Sequence, residues 1–188
     1  MLIGITGGIG SGKSVISNEL RRMGYEVYDT DYEAKRIIVE DPSVRLQIES
    51  ILGSDVYKDG IYQTSLVAQR AFTDKALLLQ LNAIVHPAVK ADILSRYSSN
   101  QSEITFIECA ILYTAGLDQI CDKVIAITAP EHIRLERTIS RDNSTIEKVQ
   151  ARMRAQRVEE DLQRVDTIIN NDGSVSIQEL CREIINSL

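Results

Sequence analysis

Gly7-Gly8-Ile9-Gly10-Ser11-Gly12-Lys13-Ser14 is the stretch on which the fold turns. It matches G-x-x-x-x-G-K-[ST] in full. Residues 2–6 before it are short and apolar and stop at glycine, which reads as a buried strand. After it, Val15, Ile16, Leu20 and Met23 recur at helical spacing until Gly24. Gly7, Gly8, Gly10 and Gly12 let the backbone curl with positive φ and approach a phosphate closely. N–H groups at the start of the helix then form an anion-binding concavity. Lys13 brings a cation to the β- and γ-phosphates, and Ser14 offers a hydroxyl to Mg²⁺. Gly8, Gly10, Ser11, Gly12, Lys13 and Ser14 are therefore the expected ATP-binding set. The alternative, a glycine-rich turn without a ligand, has to explain a lysine and a serine at the right spacing as well.

Outward from this loop, short apolar stretches alternate with helical ones. Strands are predicted at 2–6, 26–28, 104–107, 123–128 and 167–169. The pattern predicts an α/β, three-layer fold with about five parallel strands covered on both faces. Residues 31–100 are mostly helical by pattern and too long for a simple crossover. They read as a helical substrate-binding insertion. Within it, Thr30-Asp31-Tyr32-Glu33 has the form of a capping box, Asp41-Pro42 of an N-cap with proline at the first helical position, and Asp59-Gly60 of a turn. A kink or break is expected at His86-Pro87. Ser144-Thr145-Ile146-Glu147 should open a helix running toward Arg164. Ser176 with Glu179, or Ser174, should cap the last one. The expected division is a core of 1–30, 101–136 and 158–188, the insertion at 31–100 and a lid at 137–157.

The chain of 188 residues is 44% hydrophobic and 26% charged, ordinary for a globular protein, and its net charge is -6. No basic stripe suggests nucleic acid. Cys109, Cys121 and Cys181 are odd in number and form no C-x-x-C pair, which suits a reducing compartment rather than a disulfide or zinc framework. No basic run precedes the first apolar residues, and no apolar run approaches the roughly 18 residues of a membrane span. A cytoplasmic protein with no membrane partner is expected.

Three classes of phosphate-loop protein share such a loop. A GTPase switch needs D-x-x-G and N-K-x-D, and neither string occurs. An ATPase module has a possible Walker B strand at residues 104–108. A small-molecule kinase needs an acceptor pocket, a base and a mobile basic lid. Residues 134–157 carry Arg134, Arg137, Arg141, Lys148, Arg152, Arg154 and Arg157 against Glu136, Asp142 and Glu147, a window of +4 in an acidic chain. Arginines there can neutralise charge on a transferring phosphoryl group, with Arg137 and Arg141 the preferred pair. A solvated helix face laced with i,i+4 pairs is the plainer reading. Asp31 follows the second strand, whose C-terminal end belongs to the ligand edge of such sheets. It can accept the acceptor's hydroxyl proton or orient that hydroxyl; helix capping is the plainer reading. Asp29 could share the role or reach Mg²⁺ through water.

These residues together resemble the dephospho-coenzyme A kinase family. The resemblance runs in order through residues 6–14, Asp29-Thr30-Asp31, His86-Pro87, Arg137-x-x-x-Arg141, the stretch from Arg152 to Gln156, and residues 166–173. It implies transfer of phosphate from ATP, with Mg²⁺, to the ribose 3′-hydroxyl of dephospho-coenzyme A, the last step of coenzyme A synthesis. It implies that Asp31 lies near the acceptor hydroxyl, that His86 helps position the acceptor, that Arg141 is a lid arginine over the nucleotide and that Asn171 lies beside adenine. By themselves, His86 reads as filling a kink and residues 171–173 as a turn. One segment departs from the family. Where an Asp-x-Pro-Leu-Leu-Phe-Glu-like run is usual, this chain has Glu108-Cys109-Ala110-Ile111-Leu112-Tyr113-Thr114. Glu108 keeps a place on the Mg²⁺ side; the second carboxylate is missing. Kinases of other small hydroxylated metabolites share everything except the insertion.

Overall fold

In the computed structural model, which describes residues 1–99, 102–156 and 161–188, the chain forms two compact units. One comprises residues 1–28 and 102–188, the other residues 29–101. The first is built on β1 (Leu2–Thr6), whose five residues are all buried. A strand that is apolar along its whole length needs cover on both faces, which a parallel sheet between helices provides. The chain continues through α1 (Lys13–Arg22) and β2 (Glu26–Asp29), crosses the second unit and returns as β5 (Thr105–Glu108), β6 (Lys123–Thr128) and β7 (Thr167–Asn170). The sheet order is β2-β5-β1-β6-β7. β1 runs parallel to both neighbours, with Ile5 opposite Glu108 on one side and Ile125 on the other. β6 and β7 are parallel, with Ile125 opposite Thr167.

Two helices follow β6, α6 (Glu131–Asp142) and α7 (Ile146–Arg154), and the chain ends in α8 (Ile177–Asn186). Ile3, Ile5, Ile16, Leu20, Phe106, Ile125, Ile127, Ile169, Leu180 and Ile184 form the core between sheet and helices. Burying one such side chain is worth roughly 1.5–3 kcal/mol. The Tyr25 ring meets Phe106 edge-on at 5.6 Å between centroids.

Strand positions agree with expectation within a residue. The largest consequence is at β5, which begins one residue late and so ends on Glu108. The caps differ more. Ser176 and Glu179 make the reciprocal capping box of α8, and Ser174 pairs with Asp172 instead. Thr145 caps α7 in place of Ser144, and that helix ends at Arg154, short of the expected run toward Arg164. Arg157 and the expected boundaries at 100/101 and 157/158 lie outside the described residues.

The second unit holds α2 (Thr30–Glu40), α3 (Pro42–Leu52), α4 (Thr64–Thr73) and α5 (Lys75–Ser99). It also has a small antiparallel hairpin, β3 (Tyr57–Lys58) with β4 (Ile61–Tyr62), turning at Asp59-Gly60. Asp41 caps α3 through the N–H groups of Ser43 and Val44, with Pro42 at the first position. No break occurs at His86-Pro87; α5 runs through it for 25 residues. Proline forfeits one helical hydrogen bond and crowds the preceding turn. Val85, Val89 and Ile93, buried on either side of it where α5 packs on α2 and α3, offset that cost. By length and composition α5 also meets the criterion for crossing a membrane, contrary to the sequence expectation; within the unit it is a packing helix.

An ion-pair cluster ties α2 to α5. Glu33 accepts from Arg36 and from both terminal nitrogens of Arg96, at 2.9 and 2.6 Å, while Asp92 accepts from Arg36 at 3.0 Å and pairs with Arg96 at 3.1 Å. Burial by itself would raise the Glu33 carboxyl; the hydrogen bonds from Arg36 and Arg96 outweigh it and hold the group below its ordinary value.

Candidate active site

The loop between β1 and α1 has the shape its glycines predict. Gly7, Gly10 and Gly12 have φ of 146°, 77° and 96°; Gly8 is not in that region, contrary to expectation. All three positive-φ positions exclude a side chain on two counts, and at Gly7 a Cβ would stand 2.2 Å from the Ile127 carbonyl oxygen. A Cβ on Gly10 would stand 2.3 Å from the Arg134 carbonyl oxygen, and one on Gly12 2.2 Å from Asn171 Nδ2. The first turn of α6 and the loop after β7 are packed directly on the phosphate cradle.

Side chains from distant parts of the first unit hold this loop. Asn171 is buried and donates from Nδ2 to the Ser11 carbonyl at 2.8 Å. Arg137 Nη1 donates to the Asn171 carbonyl at 2.9 Å, so these two expected residues are coupled. Gln156 Oε1 accepts from the Ile9 N–H at 2.8 Å. Ser11 is fully buried. Lys13 Nζ donates to the carbonyls of Gly7 at 2.6 Å and Gly8 at 3.3 Å, which places the ammonium at the opening of the loop.

Ser14 Oγ donates to Glu108 Oε1 at 2.7 Å. A hydroxyl and a carboxylate brought together at the ligand edge of the sheet are hard oxygen donors of the kind Mg²⁺ takes. Among the described residues no group of three or more His, Cys, Asp and Glu side chains is placed to hold a metal. Mg²⁺ in phosphate-loop enzymes needs few protein ligands, because nucleotide oxygens and water complete its shell. The donor set fits the ion.

Arg141 is turned to a local partner. Its Nε and Nη2 donate to Asp142 at 2.7 and 3.2 Å, and Arg152 donates to the same carboxylate at 2.7 Å. These hydrogen bonds, Arg141's first and Arg152's second, hold the Asp142 carboxyl far below the usual range. Beside Gly7 lies a cavity of about 650 Å³ whose walls include Thr6, Ala110, Tyr113, Thr114, Gln156 and Arg164.

In the second unit, Asp31 stands in the first turn of α2 and is exposed. The expected capping box at Thr30 is not formed. Asp29 caps α2 instead, accepting from the N–H groups of Asp31 and Tyr32 at 3.0 Å each. The Asp31 carboxylate is thereby released from the plainer role assigned to it, and Asp29 is occupied. His86 is half-buried on α5, and burial pushes its imidazole below the ordinary range.

Asp142 and the Arg134 carbonyl carry no local sequence signal, and Gln156 carries one only as the end of the Arg152–Gln156 stretch of the family resemblance. Gln156 reaches Ile9 across 147 residues of chain, a contact that no spacing rule encodes.

The model of the dephospho-CoA kinase family matches residues 1–176. The chain belongs to the dephospho-CoA kinase family. The dephospho-CoA kinase of Porphyromonas gingivalis is 40% identical over 185 residues, covering 97% of this chain and 92% of that one. Among solved structures, a Thermus thermophilus protein superposes with a TM-score of 0.86 at 29% identity, covering 100% of this chain and 96% of the other. The dephospho-CoA kinase from Campylobacter jejuni gives 0.73 at 25%, covering 98% and 95%. The chain is therefore a phosphate-loop kinase of coenzyme A biosynthesis. The GTPase and ATPase readings find no support beside it.

Proposed function

We propose that the enzyme transfers the terminal phosphate of ATP to the ribose 3′-hydroxyl of dephospho-coenzyme A, and that the loop at residues 7–14 holds the donor. The observation that carries this reading is the loop itself, with Lys13 at its opening and Ser14 against Glu108. Backbone N–H groups of the loop take the phosphate oxygens; Lys13 exchanges its carbonyl partners for them. Lys13 and Arg137 offset the negative charge on the transferring group. Ser14 and Glu108 would hold Mg²⁺, directly or through water, and the ion when bound neutralises charge on the β- and γ-oxygens.

Asp31 orients the acceptor hydroxyl or takes its proton; its freedom from helix capping supports that role. His86, largely neutral at pH 7, offers one donor and one acceptor to the acceptor substrate. Arg141 is a lid arginine that must leave Asp142 to reach the nucleotide. Asn171 lies beside adenine, its amide already fixed by the loop. Cys109, Cys121 and Cys181 form no disulfide with one another, which suits the reducing cytoplasm, where both substrates would be met.

The test is ADP release with ATP and Mg²⁺, with and without dephospho-coenzyme A and against a panel of nucleosides and sugars. Acceleration by dephospho-coenzyme A alone is expected, with phosphorus NMR placing the new phosphate on the 3′-oxygen. No acceleration sinks the reading, and acceleration by another hydroxylated metabolite replaces it.

A further inference from the structure

We infer that the cavity beside Gly7 receives the nucleoside half of the acceptor, and that Tyr113 and Arg164 set its specificity there. This rests on the reaction proposed above. The cavity, at about 650 Å³, has the size of a small-molecule site. Its position favours the acceptor over the donor. Gly7 forms part of its wall, and Lys13 Nζ lies 2.6 Å from the Gly7 carbonyl. The cavity thus adjoins the end of the loop where the cation meets the terminal phosphate. Asn171, which packs against Gly12 at the other end, does not line it.

The walls suit a flat, uncharged ring system rather than a phosphate. Ala110, Ala126 and Ala155 leave low apolar walls. Arg164 and Asp161 both line the cavity, and Arg164 is held by Asp118 at 3.0 Å, so the lining is not strongly cationic. The Arg164 guanidinium lies over the Tyr113 ring, 3.9 Å from its centroid. The Tyr113 hydroxyl is buried and has no hydrogen-bond partner among the described residues. A buried hydroxyl left in that state is costly, and a ring nitrogen or ribose hydroxyl would satisfy it. Ala110 and Thr114, which stand where the family's usual run has a proline and a second acid, line this same cavity.

The experiment is steady-state kinetics of the whole chain, varying dephospho-coenzyme A at saturating ATP and then the reverse. Tyr113→Phe should raise the KM for the acceptor about 3- to 10-fold, the worth of one neutral hydrogen bond, with kcat and the KM for ATP held within about twofold. Arg164→Lys keeps the charge but removes the stacked plane, and should also raise the acceptor KM selectively. A truncated acceptor, adenosine 5′-monophosphate, should show the same ratio between wild type and Tyr113→Phe. If the ratio appears only with the full acceptor, the contact is to the pantetheine arm and the inference falls. It also falls if the KM for ATP rises instead, or if neither variant changes the acceptor KM while wild type is active. A wild-type chain without activity on dephospho-coenzyme A overturns the proposed reaction itself.

Discussion

Under the proposed function, the loop at residues 7–14 would meet its ligand mostly through backbone N–H groups, whereas the unit spanning residues 29–101 would do so through the side chains of Asp31 and His86. The difference governs how each region tolerates change. The loop is shaped by glycines and clamped by long-range hydrogen bonds with the side chains of Asn171, which donates to it, and Gln156, which accepts from it. Its chemistry is a property of a conformation. The helical unit places Asp31 and His86 on helices whose mutual fit depends on the Glu33, Arg36, Asp92 and Arg96 cluster. Its chemistry is a property of individual side chains on a docked pair of helices.

Lys13→Met puts the greatest strain on this contrast, because under the proposed function Lys13 is the side chain that brings positive charge to the loop. Its loss should lower kcat about 10³-fold with the melting temperature unchanged. In the other unit, Asp31→Asn should lower kcat about 10²-fold while ATP affinity, read by titration calorimetry, stays constant. Unchanged turnover would leave Asp31 as an ordinary exposed residue of α2. Gly12→Ala tests conformation rather than charge. A φ of 96° and a Cβ 2.2 Å from Asn171 Nδ2 must be relieved together. It should destabilise the fold by about 1–3 kcal/mol, seen in the thermal midpoint, and weaken ATP binding at the same time.

Glu33→Gln should have the smallest effect, about 1–2 kcal/mol at pH 7 by urea unfolding. Its signature is the pH dependence. The folded Glu33 carboxyl lies below its ordinary value of 4.5. Its contribution is therefore complete above that pH and is lost as the pH falls through the lower folded value. Wild type should lose stability over that acid range more steeply than Glu33→Gln; parallel profiles would remove Glu33 from the account.

The same contrast explains what could be read from sequence. A loop whose function lies in its glycine spacing announces itself, because Gly7, Gly10 and Gly12 stand where positive φ is required. β1 and β6 were equally legible, being continuous apolar runs bounded by turns. Side-chain roles were less so. Thr30, Asp31 and Asp29 were all chemically able to cap α2, and only the path of the chain out of β2 decides for Asp29. Pro87 looked like a break because local sequence carries its cost, while the compensating burial of Val85 and Val89 comes from helices elsewhere in the chain. Gln156 on Ile9 and Tyr113 under Arg164 are long-range pairings with no local trace.

If residues 7–14 hold ATP as proposed, the Ser14–Glu108 hydrogen bond bears on which form of the nucleotide is accepted. A serine hydroxyl owns one proton and two lone pairs. With that proton committed to a carboxylate at 2.7 Å, the oxygen can face an incoming ligand only through its lone pairs. At that hydroxyl a bare phosphate oxygen would meet a lone pair and no proton, whereas a cation would meet a hydroxyl oxygen beside a carboxylate. Under the proposed function the pair would work as a polarity gate at the start of α1, favouring a triphosphate that brings its own divalent ion over one that does not.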